Sequence, residues 1–335
     1  MTDTGDTNSD LDRLRQLPIR SEEIGFAPEA MVACEKCGRS NAPNREICMY
    51  CGAALAGRGA AARHEIRRPE SWETGFNVVV LRSGADNTEP LARTIASLLE
   101  TEIEAVRAIL VSGKPLPIAR LASEGQADLV VQKLAGFGIE ASVVSDESLM
   151  PSKNPIRLRS LRFTDDELVL ESFGKPGTER VKREELALIV AGVLLETRTE
   201  SIEKRKRRET KAVSEIQMSS DMPVIDLYSR SDPTGWRIPA TGFDFSCLGP
   251  GKSLVVGENM ESLVSALLRV FPGAKLVNDY AALRSMLEHS WPGESRTDAR
   301  GFQPTGVARK GLSKIFTTNN SLQFTKYSRL QWHLL

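Results

Sequence analysis

The sequence predicts a multidomain α+β protein, in which a small cysteine-rich segment precedes an α/β domain and a β-rich domain with a C-terminal helix. Three observations predict this class. Four of the five cysteines fall within 18 residues. The middle of the chain carries strand and helix patterns in the order β-α-α-β-α-β. The region after it contains several runs of β-branched or alternating residues, followed by one amphipathic helix.

Charge and hydropathy narrow the class further. The 335 residues contain 44 Lys+Arg and 44 Asp+Glu, a formal net charge of zero. This balance excludes a uniformly basic protein that coats nucleic acid, but it does not exclude a local basic patch. The sequence has no run of eighteen apolar residues and no apolar signal core, so we expect no membrane span and a cytoplasmic location.

The strongest functional signal is a pair of C-x-x-C units, Cys34 with Cys37 and Cys48 with Cys51. In a chain without a secretion signal, this pairing favours a metal over disulfides. Four thiolates fill a tetrahedral Zn²⁺ and leave no position for a reactive water, so the predicted ion is single and structural. Free or redox-active thiols are the alternative.

The segment ACEKCGRSNAPNREICMYCGAAL resembles the short bacterial zinc ribbon, whose pattern is C-x2-C-x10-C-x2-C. Asn41 and Pro43 also match that family. The resemblance covers residues 32–55 and implies a small zinc-stabilised module. Ran-binding-protein zinc fingers share the spacing but carry a tryptophan where this chain has Val32, so their partner-binding role is not carried over.

Composition and patterning divide the chain as follows. We predict a disordered acidic arm (1–28), a zinc ribbon (29–56), a linker (57–73), a small α/β domain (74–148), a β-rich domain (154–290) with a flexible insertion (200–221), and a disordered basic tail (291–335).

Two of these segments resemble known folds. Strand NVVVL, a helix pair and the closing LVVQKLAGFGIEASVV are similar to the C-terminal domain of the bacterial ribosomal stalk protein. That family recruits translation factors through a lysine-rich helix face, which is more acidic here. The strands and single helix of residues 154–290 resemble the pleckstrin-homology-like architecture.

Candidate catalytic groups do not assemble into a site. Residues 249–253 (GPGKS) end like a phosphate-binding P-loop, but Ser246 stands where its first glycine belongs, so a plain turn is expected. Cys247 has no histidine partner in sequence and is predicted to be a buried thiol. The basic run 204–208 is expected to be a solvated loop.

The sequence therefore predicts a non-enzymatic zinc-binding adaptor, whose partner is a protein bound through the ribbon and the domains that follow. RNA or DNA binding through the ribbon and the basic tail is the alternative, and it predicts a steep salt dependence. A nucleotide-dependent enzyme using Lys252 is a third, remote hypothesis. No small-molecule substrate is indicated.

Overall fold

The structure is a computed structural model. It describes residues 31–42, 45, 48–53, 55, 66–70, 73–84, 89–149, 154–174, 176–206, 209–304 and 310–335, and for the strand residues of 202–214 and 299–313 it describes the backbone alone. The predicted acidic arm, residues 1–28, lies outside the described residues. The chain forms two compact units, Met1–Glu65 and Ile66–Leu335.

In the described part of the first unit, two short strands pair in antiparallel fashion. They are β1 (Val32–Ala33) and β2 (Ser40–Asn41). The turn between them contains the first C-x-x-C unit. The pairing of β1 with β2 therefore fixes the two ends of that turn.

The second unit begins with the α/β segment. Its elements are β3 (Phe76–Ser83), α1 (Glu89–Leu99), α2 (Ile103–Ser112), β4 (Leu116–Leu121), α3 (Glu124–Gly136), β5 (Ile139–Ser145) and α4 (Asp146–Leu149). Up to β5 the order is the predicted β-α-α-β-α-β. The central strand β3 pairs antiparallel with both β4 and β5. Ser123 caps the start of α3, since its hydroxyl accepts from the Gln126 amide.

A nine-stranded mixed sheet, curled into a half-barrel, dominates the rest of this unit. Its strands and helices are β6 (Ile156–Phe163), β7 (Glu167–Ser172), β8 (Thr178–Lys182), β9 (Leu186–Lys206), β10 (Glu209–Ser229), β11 (Trp236–Pro239), a 3₁₀ helix (Phe245–Gly251), α5 (Val256–Val270), β12 (Lys275–Val277), α6 (Tyr280–Leu287), β13 (Glu294–Pro304), β14 (Lys310–Asn319) and α7 (Ser321–His333).

The first five residues of β9, 186–190, and the last six of β10, 224–229, are buried, so both faces of the sheet are covered there. Along β9, Leu188 and Val190 belong to the core shared with α6 and α7, whereas Ile189 belongs to the core under α5. Because side chains alternate across a strand, a single apolar run contributes side chains to the cores on both faces of the sheet.

Residues 200–221 correct the predicted flexible insertion. The described residues of this segment, 200–206 and 209–221, belong to β9 and β10, which pair from Leu186↔Ser229 outward to Lys206↔Glu209, and β14 pairs with the other edge of β9. The segment was expected to be a loop because it lacks an apolar face. A ribbon whose strands satisfy one another's backbone groups does not need such a face.

The C-terminal segment corrects the predicted disordered tail. Residues 294–304 form β13, residues 310–319 form β14, and α7 follows. In α7, Phe324, Tyr327 and Leu330 are at most 1 % exposed. Asn320 fixes the start of α7, because its side chain accepts from the Leu195 amide and donates to the Val193 carbonyl.

The segments predicted as separate α/β and β-rich domains are parts of one compact unit. Trp291 Nε1 donates to Asn77 Oδ1 at 2.7 Å, and Lys114 pairs with Asp279 at 2.8 Å. Residues 66–70 of the predicted linker are also attached, since Arg68 donates to the carbonyls that end α1. The linker prediction therefore fails for those residues, while residues 57–65 lie outside the described ones.

The packing of α7 on β9 gives a first prediction. A Cβ placed on Gly192 would lie 2.8 Å from Phe324 Cδ2 and 3.1 Å from Tyr280 Cδ1, and both rings are fully buried. We expect Gly192→Ala to lower the free energy of unfolding by about 1–3 kcal/mol through overpacking. Denaturant unfolding measures this change.

The matched control is Gly257→Ala in α5, where an added Cβ meets nothing within 4 Å. It is expected to leave stability unchanged or to raise it slightly, because alanine favours the helix. An equal loss of stability in both variants would contradict the packing of α7 on β9.

Candidate metal centre

Two similar turns present the four predicted ligands. We call residues 34–38 the first knuckle and residues 48–52 the second. In each, the glycine amide donates back to the first cysteine: Gly38 N to Cys34 O at 2.7 Å, and Gly52 N to Cys48 O at 2.9 Å. Both glycines have a positive φ, +69° and +68°. Glycine adopts this left-handed conformation without strain, which explains the residue type at both positions.

The knuckles bring all four predicted cysteines together. Their sulfur atoms lie within 4.8 Å of one another. The close pairs join the two knuckles, with Cys34 Sγ 3.6 Å from Cys51 Sγ and Cys37 Sγ 3.6 Å from Cys48 Sγ. A tetrahedral zinc with Zn–S bonds of about 2.3 Å requires sulfurs about 3.8 Å apart. A disulfide requires about 2.05 Å, so the spacing fits a shared metal ion.

Asn41 supports the second knuckle. It is 1 % exposed, its amide nitrogen lies 3.5 Å from Cys48 Sγ, and its oxygen accepts from the Met49 amide. Desolvation alone would raise the pKa of Cys48, but the backbone donors of Tyr50 and Cys51 and the Asn41 amide outweigh it and lower the pKa to about 6. Hydrogen bonds of this kind stabilise a thiolate and orient it toward a metal.

The four thiols cannot all ionise alone. The backbone donor of Arg39 lowers the pKa of Cys37, but desolvation and the other three thiols outweigh it and raise the pKa to about 12. A divalent cation removes this conflict, because each sulfur then binds as a thiolate. With four sulfur ligands the coordination is complete, so the set suits a structural ion of the zinc type.

Beside the sulfurs, the second knuckle exposes an apolar and aromatic surface. Met49 and Tyr50 are 59 % and 50 % exposed. The Arg39 guanidinium lies over the Tyr50 ring, 4.8 Å from its centroid. We call these three residues the knuckle surface. Tyr, Met and Arg are enriched in protein interfaces, so the cysteine cluster lies next to residues of an interface type.

The P-loop-like segment does not have P-loop geometry. It lies in and just after a 3₁₀ helix, where a P-loop requires a strand before it. The segment leads into α5, which begins at Val256. Lys252 pairs at 3.6 Å with Asp244, and both side chains are about half exposed.

Two other reactive side chains among the described residues, one thiol and one imidazole, belong to the second unit. Cys247 is partly buried at the edge of the core under α5, and burial raises the pKa of its thiol to about 11. His289 lies between the Met286 and Ile118 carbonyls, each 2.9 Å from a ring nitrogen. Burial lowers the pKa of His289. Neither residue belongs to the metal-competent cluster that the described residues form.

Sequence reasoning misses a buried polar cluster in the second unit. Asp146 accepts from Asn77, Arg120 and Lys326, and Asn77 in turn accepts from Trp291. These residues come from separate parts of the chain. Each one looks like an ordinary surface or core residue in sequence, so only the fold reveals the cluster.

No protein-family model matches the chain, and no curated protein or solved structure is similar to it. The likenesses to the zinc ribbon, the stalk-protein domain and the pleckstrin-homology-like fold stay predictions. The fold and the site together define a mixed α/β protein with a four-cysteine candidate metal centre. None of its described helices is long and apolar enough to cross a membrane.

Proposed function

We propose that this chain is a non-enzymatic, zinc-stabilised adaptor that binds a partner protein through the knuckle surface, Arg39, Met49 and Tyr50. The observation that carries the proposal is the exposure of Met49 and Tyr50 on a turn whose neighbouring cysteines form the metal cluster. A structural ion holds such side chains in place before binding, which lowers the entropy lost on association.

The chemistry of the described residues supports a binding role over a catalytic one. Four sulfur ligands complete the coordination of the ion, so it has no open position to activate water or substrate. Lys252 is engaged with Asp244 at the surface, and a 3₁₀ helix, where a P-loop has a strand, directly precedes it. We therefore assign the ion to folding and the exposed side chains to recognition.

The test separates the knuckle surface from the metal. Met49→Ala/Tyr50→Ala is made in the full chain, and native mass spectrometry checks that one zinc ion is retained. Partners captured by the wild type are then purified, and direct binding is measured by calorimetry. We expect the double variant to bind at least about tenfold more weakly, as for interface anchors.

The matched control is Val111→Ala on α2, another exposed apolar residue, at 63 % exposure. It is expected to bind as the wild type does. If the double variant keeps its zinc and binds each purified partner with unchanged affinity, the knuckle surface is not the recognition site.

A second candidate function, nucleic-acid binding, is favoured by the four adjacent long strands β9, β10, β13 and β14 of the large sheet. The described part of the basic run, residues 204–206, and residues 310–314 of the basic C-terminal segment are far apart in sequence and lie at the same end of these strands. Lys204 is opposite both Lys211 and Gly311 in register. The distal strand residues are Lys204, Arg205, Lys206, Lys211, Arg300, Lys310 and Lys314 against Glu203 and Glu209, a net charge of +5.

Charge reversal tests this candidate without disturbing the core. Deleting the C-terminal segment is unsuitable, because it removes the buried helix α7. For five neutralised phosphates, we expect the wild type to bind with a log–log salt slope of about −4.5 for a DNA duplex or about −3.5 for single-stranded RNA. Lys204→Glu/Arg205→Glu/Lys206→Glu is expected to abolish this binding.

The control reverses three exposed arginines elsewhere, Arg93, Arg107 and Arg180. It alters net charge by the same amount. Equal loss of binding in both triple variants would assign the effect to overall charge, and a flat salt dependence would exclude the candidate.

A further inference from the structure

A cavity of about 370 Å³ opens beside the buried polar cluster. It lies between the end of β4, the segment that follows α6, and the first half of α7. Its walls combine apolar groups, two buried cations and small polar residues. Its lining includes Arg120, Trp291, Leu322, Gln323 and Lys326, with Glu294 as the acidic member at an exposed position.

The Asp146 carboxylate next to the cavity has no free position to accept another hydrogen bond. Asp146 accepts from the Gly75 amide, from Asn77 Nδ2, from Arg120 Nε and Nη2, and from Lys326 Nζ, at distances of 2.6–3.1 Å. Two carboxylate oxygens offer about four lone-pair positions, so five donors saturate them. Arg120 is saturated as well, since its remaining N–H groups donate to the backbone carbonyls of Pro69, Glu70 and Glu73.

Lys326 is the cation with donors to spare. An ammonium group has three N–H donors. In the part of the chain that the structure describes, Lys326 Nζ donates to Asp146 at 3.0 Å and otherwise lies 6.0 Å from the centre of the Trp291 ring. Its side chain is only 8 % exposed and lines the cavity. Two charged donors are therefore available at the cavity wall.

The charge of the cluster sets the charge of the ligand. Arg120 and Lys326 contribute two positive charges and Asp146 one negative charge, so the buried cluster carries a net charge of +1. The Glu294 carboxylate also lines the cavity, but it is exposed, so solvent screens its charge more than it screens the buried ones. A phosphate dianion is usually bound by arginine forks or several backbone amides. Here one lysine point charge faces the cavity, with Trp291 and Leu322 beside it. This combination matches a monoanion with an apolar body.

We propose that this cavity binds a small carboxylate ligand, whose carboxylate accepts from Lys326 Nζ and whose apolar part contacts Trp291 and Leu322. The site is separate from the metal centre and uses none of its residues. A ligand there would contact α7 and the segment after α6 together, and so would add to the packing that holds α7 in place.

Benzoate is the probe, because it joins a carboxylate to a flat apolar ring. Calorimetry and thermal unfolding of the full chain are run with benzoate, with benzyl alcohol as the neutral analogue, and with inorganic phosphate, all at one ionic strength. We expect saturable benzoate binding and a higher Tm, and neither effect with the other two probes. Lys326→Met is expected to weaken benzoate binding by about 10- to 100-fold, the effect of losing a hydrogen bond to a charged group.

Two further variants make the result decisive. Lys114→Met removes a lysine that pairs with Asp279 outside the cavity, and it should bind benzoate as the wild type does. Ser295→Trp fills the cavity from an exposed lining position without touching the buried cluster, and it should abolish binding even if Lys326→Met fails to fold. The proposal is overturned if benzoate does not bind saturably, if benzyl alcohol or phosphate binds as well, or if folded Ser295→Trp still binds benzoate.

Discussion

Removal of the metal is expected to unfold the segment that holds the two knuckles. The strands β1 and β2 have two residues each, and the described hydrogen bonds of the knuckles are few and local. Structural zinc contributes about 10–16 kcal/mol of apparent binding free energy in units of this size. Hydrogen exchange followed by mass spectrometry should show protected amides at Gly38 and Gly52 with zinc, and full exchange after chelation.

Cys48→Ser is expected to have the same effect as chelation, because it removes a buried sulfur that also receives the Asn41 contact. Cys247→Ser is the matched control, since this thiol lies outside the cluster and should leave one zinc bound. Protection at Gly38 that survives both chelation and Cys48→Ser would show that the knuckles fold without an ion.

Asp146→Asn is expected to destabilise the second unit by about 3–5 kcal/mol. The change keeps the shape of the side chain but leaves the Lys326 and Arg120 cations without their carboxylate, and all three side chains are at most 12 % exposed. An uncompensated buried charge costs this much because neither the solvent nor a counter-charge stabilises it. Chemical denaturation at neutral pH measures the loss.

The control is Glu167→Gln, which breaks a pair with Arg180 in which the arginine is 65 % exposed. Such a pair contributes about 0–1 kcal/mol. If both variants lose the same stability, Asp146 does not act as a buried counter-charge. A smaller cost of Lys326→Met when it is combined with Asp146→Asn than when it is made in the wild type would show the coupling directly.

The same residue predicts a pH dependence. Burial would raise the pKa of Asp146, but Arg120, Lys326 and Asn77 outweigh it and hold the pKa below its ordinary value. Its contribution is therefore fully present above the unfolded pKa of about 3.9 and is lost as the pH falls through the lower folded pKa. Plotted below about pH 4, stability should fall more steeply for the wild type than for Asp146→Asn.

The metal centre could be predicted from sequence because its geometry is local. Two residues between cysteines set each pair, and a glycine after each pair closes the turn. The structure adds what spacing cannot show, namely that the close sulfur contacts cross between knuckles and that Asn41 reaches Cys48. The order of elements from β3 to β5 was also readable, since each helix there carries a regular apolar stripe.

The long antiparallel pair of strands β9 and β10 could not be predicted from the hydrophobic pattern. In its outer part no face is continuously apolar, and residues 215–220 are all exposed. Backbone hydrogen bonds between its strands stabilise this outer part, and such bonds give no recognisable pattern in the amino-acid composition. Helix α7 was missed for a different reason. Phe324, Tyr327 and Leu330 do follow helical spacing, but Lys326 and Arg329 between them read as solvent-facing, and only the distant partner Asp146 explains why Lys326 is buried.

The position of α7 in the chain has a consequence for how the protein is made. Residues 66–320 leave the ribosome before α7. Their apolar surface around Tyr280 and Leu188 therefore stays uncovered until Phe324 and Tyr327 have emerged. During synthesis this unit therefore passes through a stage with an uncovered groove, when chaperones bind and misassembly is most frequent. Codon choice or pausing over residues 321–333 should change the yield of folded protein more than the same change in the stretch that encodes α1.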